Sequence, residues 1–291
     1  MKKNQRCIPF ATPMIALALF GGFANAGTSE PAPLAPAPQV APEEDLISGV
    51  LNLDFNTHFI SYGNDVWQDG TNLSEPTFNP SFELAVKLPA DFTFTLGTWW
   101  DVNSKRGGDT SAIGGRIQEV DVWAGLAYAI GDFSIKTTYQ AWNYAHGTED
   151  IIDVTLAYAC FLSPSLTVHN RINVGSAGSG GFYTPFSEGD EGTILVGAIS
   201  YSVDAGPVTF SFPLNVAYFC TDEYHAVDAD DGFGYGSISA NASMPLAFIA
   251  ETYGKWSIHA GVSYYVTDQE VIPNNPKGDF ITANVGLTVA F

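Results

Sequence analysis

Basic side chains, cysteine, methionine and long apolar runs are all scarce in this chain. Lys and Arg number 11 against 31 Asp and Glu, a formal net charge of −20. No basic patch can be assembled to neutralise phosphates, which excludes nucleic acid as a partner. After residue 26 no stretch approaches the roughly 18 consecutive apolar residues that mark a membrane-spanning helix. Three Cys and three Met occur among 291 residues, so no disulfide framework holds the fold. Also absent are G-x-S-x-G, H-E-x-x-H and the Cys/His spacings of metal sites. The chain is therefore not read as an enzyme, and neither a metal nor a cofactor is expected.

What is present is alternation, clearest at the C-terminus. In Asp279–Phe291, Ile281, Val285, Leu287, Val289 and Phe291 share one parity, and Thr282, Asn284, Gly286, Thr288 and Ala290 the other. Period two denotes a strand with one apolar face. Its length suits a tilted strand crossing a bilayer, roughly 9–11 residues or slightly more. A strand ending on a C-terminal Phe resembles the terminal signal of bacterial outer-membrane β-barrels, which implies recognition by the barrel-assembly machinery through Phe291.

The N-terminus points to the same compartment. Lys2, Lys3 and Arg6 precede the apolar run Ile8–Phe23, and Ala24-Asn25-Ala26 offers an A-x-A cleavage site. Residues 1–26 are expected to be a signal peptide cleaved after Ala26. Residues 27–44 are rich in Pro and Ala and are expected to form an extended periplasmic linker. Residues 45–291 then form the barrel.

About twelve alternating segments follow, with ten or fourteen as the alternatives. They are Ile47–Ile60, Thr77–Leu88, Phe92–Val102, Gln118–Ile130, Phe133–Tyr144, Glu149–Ala159, Ser165–Val174, Thr193–Val203, Val208–Phe219, Phe233–Met244, Lys255–Thr267 and Asp279–Phe291. Connections after the odd segments are mostly long and polar; that around His146 is short. Those after the even segments are short, except the intermediate Pro245–Gly254. Sorting loops by length to opposite ends suits an all-β antiparallel transmembrane barrel and not a sandwich. This order sets Cys160 and Cys220 at opposite ends, beyond the roughly 7 Å that a bridge allows between Cα atoms, so both are expected to be free thiols.

Parity sorts the side chains. Outward aromatics gather at strand ends: Phe92, Tyr128, Phe133, Tyr158, Tyr201, Trp256 and Phe291 at the short-turn end, and Phe59, Trp100 and Tyr218 at the long-loop end. Rings at two levels make interfacial girdles. The inward set includes Asp54, His58, Glu83, Lys87, Trp99, Asp101, Glu119, Asp121, Trp123, Lys136, Trp142, Asp153, His169, Arg171 and His259. Charges of both signs fit a hydrated lumen, since Lys or Arg facing lipid costs about 2–4 kcal/mol at the midplane. They fit equally well an interior narrowed by ion pairs. Antiparallel pairing brings Asp101 beside Glu119 and Asp121, flanked by Trp99 and Trp123, with Trp142 and Tyr144 on the next strand. Such a cluster biases a pore toward cations, and its rings either guide sugars or simply pack the lumen. The loop Cys220–Gly232 is acidic and is expected to be solvated, with divalent-ion bridging to lipopolysaccharide as the alternative. Gly175–Gly192, rich in Gly and Ser, is a candidate constriction.

Three stretches carry a family likeness. His58-Phe-Ile-Ser-Tyr-Gly63, Pro80-Ser-Phe-Glu-Leu and Gly97-Thr-Trp-Trp-Asp-Val-Asn103 resemble the TorF-type porins of bacterial outer membranes. Asp268–Pro276, with Ile272-Pro-Asn-Asn-Pro276, resembles a signature of related envelope proteins. Where that family has an Arg before the Gly that follows the first strand, this chain has Tyr62, and no role is carried over. The resemblance implies a barrel and a porin, and no substrate or catalytic residue. The expected function is passive diffusion of small polar solutes with mild cation preference. A closed structural or adhesive barrel acting through its acidic loops is the alternative. Expected partners are outer-membrane lipid and lipopolysaccharide, the assembly machinery and small polar solutes.

Overall fold

Strand formation follows the alternation almost segment by segment. The computed structural model describes residues 46–105, 112–144, 147–174 and 189–291. Among them lie β1 (Ile47–Asn56), two short strands β2 (Ile60–Ser61) and β3 (Asn64–Asp65), then β4 (Thr77–Leu88), β5 (Phe92–Val102), β6 (Ile117–Ile130), β7 (Phe133–Asn143), β8 (Thr148–Tyr158), β9 (Ser165–Asn173), β10 (Gly192–Ala205), β11 (Val208–Phe219), β12 (Gly232–Pro245), β13 (Lys255–Thr267) and β14 (Asp279–Ala290). β1 and β4 to β14 form a closed antiparallel barrel of twelve strands. β2 and β3 pair only with each other. No helix among the described residues is long and apolar enough to cross a membrane.

Closure joins the two ends of the chain. β1 runs antiparallel to β14 from Val50 opposite Ala290 to Asn56 opposite Asn284, and to β4 from Ile47 opposite Val86 to Asn56 opposite Thr77. This leaves no unpaired sheet edge, the requirement for strands in an apolar medium. Beyond the last strand, Gly49 N–H donates to Phe291 O at 2.8 Å and Phe291 N–H to Gly49 O at 3.0 Å. The Phe291 ring lies over Gly49, where a Cβ would overlap it, and stacks toward Phe82 at 6.2 Å between centroids. The terminal aromatic thus covers the seam at a position that only glycine leaves open.

Faces follow parity. Phe94, Leu96, Val122, Leu126, Phe210, Phe212, Leu214, Val262 and Val285 are exposed on the outside, and polar residues fill the inside. At the short-turn end Phe92 meets Tyr128 at 4.8 Å and Phe133 meets Tyr158 at 4.6 Å. Tyr201 is exposed nearby, and Trp256 donates its indole N–H to Tyr253 O at 2.8 Å. Trp100 sits at the other end, its N–H on Thr98 Oγ1. The turn Ala90-Asp91 has φ of 61° and 62°, left-handed values that suit a tight hairpin. Cys160 and Cys220 are both free and exposed.

The first segment departs from expectation. β1 ends at Asn56, not Ile60, and the chain turns into the barrel. Phe59, expected on an outer girdle, is buried inside at 1% exposure. Phe55 and Phe59 alternate with Asn56 and His58 in sequence, but beyond Asn56 the chain leaves the wall, and His58, Phe59 and Ile60 are all buried. The loop around His146 and most of Gly175–Gly192 lie outside the described residues.

Replacing Phe291 with Ala should lower the stability of the folded barrel by about 1 kcal/mol through the lost ring contacts at the seam. Gly49→Val should do at least as much by displacing the ring. Urea titration in lipid vesicles, followed by the heat-dependent shift in gel mobility, would measure both.

Candidate functional site

The long-loop end of the lumen holds three inturned loops. The first, between β1 and β4, is a miniature hairpin. Ile60 pairs with Asp65 and Ser61 with Asn64, across the turn Tyr62-Gly63 with φ of 45° and 81°. Two positive φ values are what a two-residue turn matching strand twist demands. Gly63 supplies one of them at no steric cost, and its missing Cβ also leaves room for the Tyr235 ring.

Polar pins fix this hairpin to the wall. Trp67 donates its indole N–H to Asp101 Oδ2 at 3.0 Å. His58 donates from Nε2 to Gly70 O at 3.1 Å and faces Thr57 Oγ1 through Nδ1 at 2.8 Å. Asn275, from the loop between β13 and β14, accepts from Asp65 N–H at 2.6 Å and donates to Gly63 O at 2.8 Å. From the loop between β11 and β12, His225 Nε2 donates to Tyr62 O at 3.2 Å. A carbonyl only accepts, so His225 carries its proton on Nε2.

Apolar packing completes the closure. Phe59, Val66 and Trp67 bury against Trp99 and Trp123. Across the mouth, Ile60, Ile194, Phe219, Tyr224, Tyr235, Tyr265, Val271, Ile272 and Phe280 form a second cluster. Tyr224 reaches the far wall. Its hydroxyl donates to His169 Nε2 at 2.7 Å, and His169 Nδ1 donates to Asp153 Oδ1 at 2.7 Å. Arg171 stacks over the Tyr224 ring at 3.8 Å and bonds its carbonyl. The Tyr62 ring lies tilted against the His169 ring, with 4.0 Å between centroids.

Electrostatics inside the plug follow burial. Desolvation, then the Arg171 charge, holds His225 down to about 3, against a hydrogen bond to Tyr62 and with a further push from His169. Desolvation also raises the Asp65 carboxyl, opposed by its bond from Gly70 N–H. Tyr144, beside Glu119 and Glu149, has its phenol pushed well up, mainly by burial.

Every inward candidate from the sequence faces the interior. Asp101 lies opposite Glu119, Trp99 opposite Asp121, and Trp142 opposite both Asp121 and Glu149. Asp101 accepts from Trp67, Asn79 and Asn103. These side chains are sealed under the first loop; Asp101, Glu119 and Asp121 are at most 1% exposed. Trp99 and Trp123 are likewise covered, so in this conformation their faces pack the hairpin and offer no surface to a passing sugar. His58 belongs to the plug and not to the wall. The acidic loop Cys220–Gly232, expected to be solvated, sends Tyr224, His225, Ala226 and Ala229 inside. Its apolar and aromatic members find a buried surface there that no local pattern announces. Sequence reasoning missed Tyr62, Tyr224, Ile272 and Asn275 as closure residues. The one signal was that two of the family-like stretches, His58–Gly63 and Asp268–Pro276, are the stretches that meet here.

The short-turn half of the lumen is different. Glu83 accepts from Trp123 Nε1 at 2.8 Å and from Lys136 at 3.4 Å. The Trp123 ring lies against Gly97, where a Cβ would overlap it. Asp54 bonds His259 at 2.7 Å. Lys87, Lys136, Thr155, Thr167, Asn241 and Asn284 are partly exposed on the inner face. The lumen is thus a polar vestibule below and a packed closure above. Among the described residues no group of three or more His, Cys, Asp or Glu stands ready to hold a metal ion.

Acid should loosen the closure at His225. Its neutral form is favoured by burial, so its contribution is complete above the ordinary value of 6.5 and is lost as pH falls toward about 3. The raised Asp65 opposes this, because acid relieves its buried charge. Protease nicking of the loop between β11 and β12 should rise between about pH 6 and pH 4. In His225→Gln that rise should be flattened. Equal pH profiles for both proteins would show that His225 has no part in it.

No protein-family model matches the chain, and no curated protein matches it in sequence. Among solved structures the KdgM porin is similar at 12% identity, with 83% of this chain and 99% of that chain covered and a TM-score of 0.43. A bacterial polysaccharide outer membrane secretin is similar at 11% identity, covering 84% and 98%, with a TM-score of 0.43. The translocator domain of the autotransporter NalP from Neisseria meningitidis is similar at 11% identity, covering 84% and 87%, with a TM-score of 0.39. What the chain itself displays is a twelve-stranded closed antiparallel barrel with an apolar exterior and a polar interior.

Proposed function

We propose that this protein is an outer-membrane channel for small polar solutes, mildly selective for cations and narrowed at its outer mouth by its first loop. The observation that carries the reading is the partly exposed polar inner face at the short-turn end, enclosed by a barrel whose outside is apolar. A lumen lined by Lys, Asp, His, Asn and Thr holds water; a barrel built only as an anchor has no need of one. The long loops face outward from the cell and the short turns face the periplasm, with residues 27–44 as a linker and residues 1–26 removed on export. The TorF-type likeness supports a porin, and the apolar belt supports contact with lipid and lipopolysaccharide. The strand ending at Phe291 is the segment for the assembly machinery. No enzymatic role is assigned.

In this reading Asp101, Glu119 and Asp121 become a cation filter when the first hairpin swings aside. A second reading has its own support: the apolar cluster across the mouth suits a barrel that stays shut and acts through its outer surface.

Planar-bilayer recording of the refolded full-length protein separates the two. Small, intermittent steps are expected from the wild type. Replacing residues 60–66 with a short Gly-Ser link should give larger and steadier steps, biased toward cations. Converting Asp101, Glu119 and Asp121 to Asn or Gln in that background should abolish the bias. A folded barrel that conducts in neither form would favour the closed reading.

A further inference from the structure

The inner wall of β12–β14 carries a second polar constellation, away from the acidic cluster under the plug. Asn241 on β12, Gly261 on β13 and Asn284 on β14 lie side by side in one row of the sheet. A Cβ on Gly261 would overlap the amide oxygens of both Asn241 and Asn284. The two carboxamides therefore converge over a bare stretch of backbone. Neither has a hydrogen-bond partner among the described residues, and both are partly open to the lumen.

The next row repeats the plan. His259, Gly286 and Asp54 lie side by side, and a Cβ on Gly286 would overlap Asp54 and His259. His259 Nε2 is 2.7 Å from Asp54 Oδ1, and Nδ1 is 3.3 Å from Thr288 Oγ1. Asp54 Oδ2 has no partner among the described residues. On the other side Ser239 and Ser263 share a hydrogen bond of 2.7 Å, and the nearby Thr282 hydroxyl is buried without a partner. The neighbouring side chains fold over the two glycines and make one polar face of amides, hydroxyls and a histidine-engaged carboxylate.

We infer that this polar face binds a neutral polyhydroxylated solute, of the size and chemistry of a small sugar. A carboxamide offers both a donor and an acceptor, as each sugar hydroxyl does, so adjacent amides match vicinal hydroxyls in either direction. Asp54 Oδ2 adds a strong acceptor. Gly261 is what lets the two amides lie this close together, since a Cβ there would displace both. An ion is a poorer match, because the carboxylate on this face is already engaged by His259. The inference rests on the channel reading for how a solute arrives, but the site itself faces the vestibule and needs no movement of the plug.

The test uses refolded full-length protein in detergent micelles, with maltotriose as the neutral probe and gluconate as the charged one. Ligand-detected NMR titration should show saturable binding of maltotriose and none of gluconate. Gly261→Ala, which pushes a methyl group between the two amides, should weaken maltotriose binding about tenfold. Asn241→Leu/Asn284→Leu should abolish it, while leaving the heat-dependent gel shift of the folded barrel unchanged. Should the alanine variant not fold, the double variant decides. Equal binding by wild type and the folded double variant, or tighter binding of gluconate, overturns the site. Vesicle swelling in maltotriose, run in parallel, keeps the two ideas apart. Binding without swelling would end the channel reading and leave the site standing; swelling without binding would do the reverse.

Discussion

Inside a bilayer every backbone N–H and C=O needs a partner, and water is not there to supply one. In this chain the pairing of β1 with β14 closes the ring and leaves no edge of the barrel open. With it, register is set around the whole ring, and parity assigns each residue to the outside or the lumen. A slip of one residue at the seam would send Asp54 outward and Phe55 inward. The Gly49–Phe291 contact belongs to the same closure: the chain ends on a ring that lies across the seam.

The barrel also inverts the usual placement of a core. Apolar side chains of the strands point out, so the wall cannot build a water-excluded interior by itself. The buried apolar clusters sit at the long-loop end, and they are made largely by loops and strand ends. Three loops distant in sequence interlock there, through Asn275 with Asp65 and Gly63 and through His225 with Tyr62, while Trp67 ties the first of them to the wall at Asp101. Buried polar networks of this kind hold one arrangement when each member is satisfied. The vestibule below is lined by polar strand residues that remain partly exposed. Closure and vestibule are separate structures, one set by loop packing and the other by pleat.

Much of the wall was legible beforehand. Alternation placed Asp101 near Glu119 and Asp121, and put Glu83, Lys136, Asp153 and Arg171 inside, because facing is a local consequence of extended backbone. The plug was not legible, and Phe59 shows why: its sequence parity continues that of β1, yet the chain has left the wall and buries His58, Phe59 and Ile60 in succession, so only the path of the chain separates the two readings. Tyr224 illustrates a second limit. It meets His169 across 55 residues of sequence, from within an acidic loop whose composition suggests solvent. Asn241 and Asn284 illustrate a third. Each alone is an ordinary lumen residue, and their convergence over Gly261 needs three strands in register.

By itself the sequence determined the alternation of the strands, the end at which most loops lie, which face of each strand is apolar, and a strongly negative net charge. These are properties of neighbouring residues and of a two-residue repeat, so they survive without knowledge of the fold. Only the tertiary structure decided that the mouth is closed, that the carboxylate cluster lies beneath a hairpin, and that two amides meet over Gly261. Those depend on the diameter of the closed ring and on surfaces brought together from distant parts of the chain, where burial outweighs local preference.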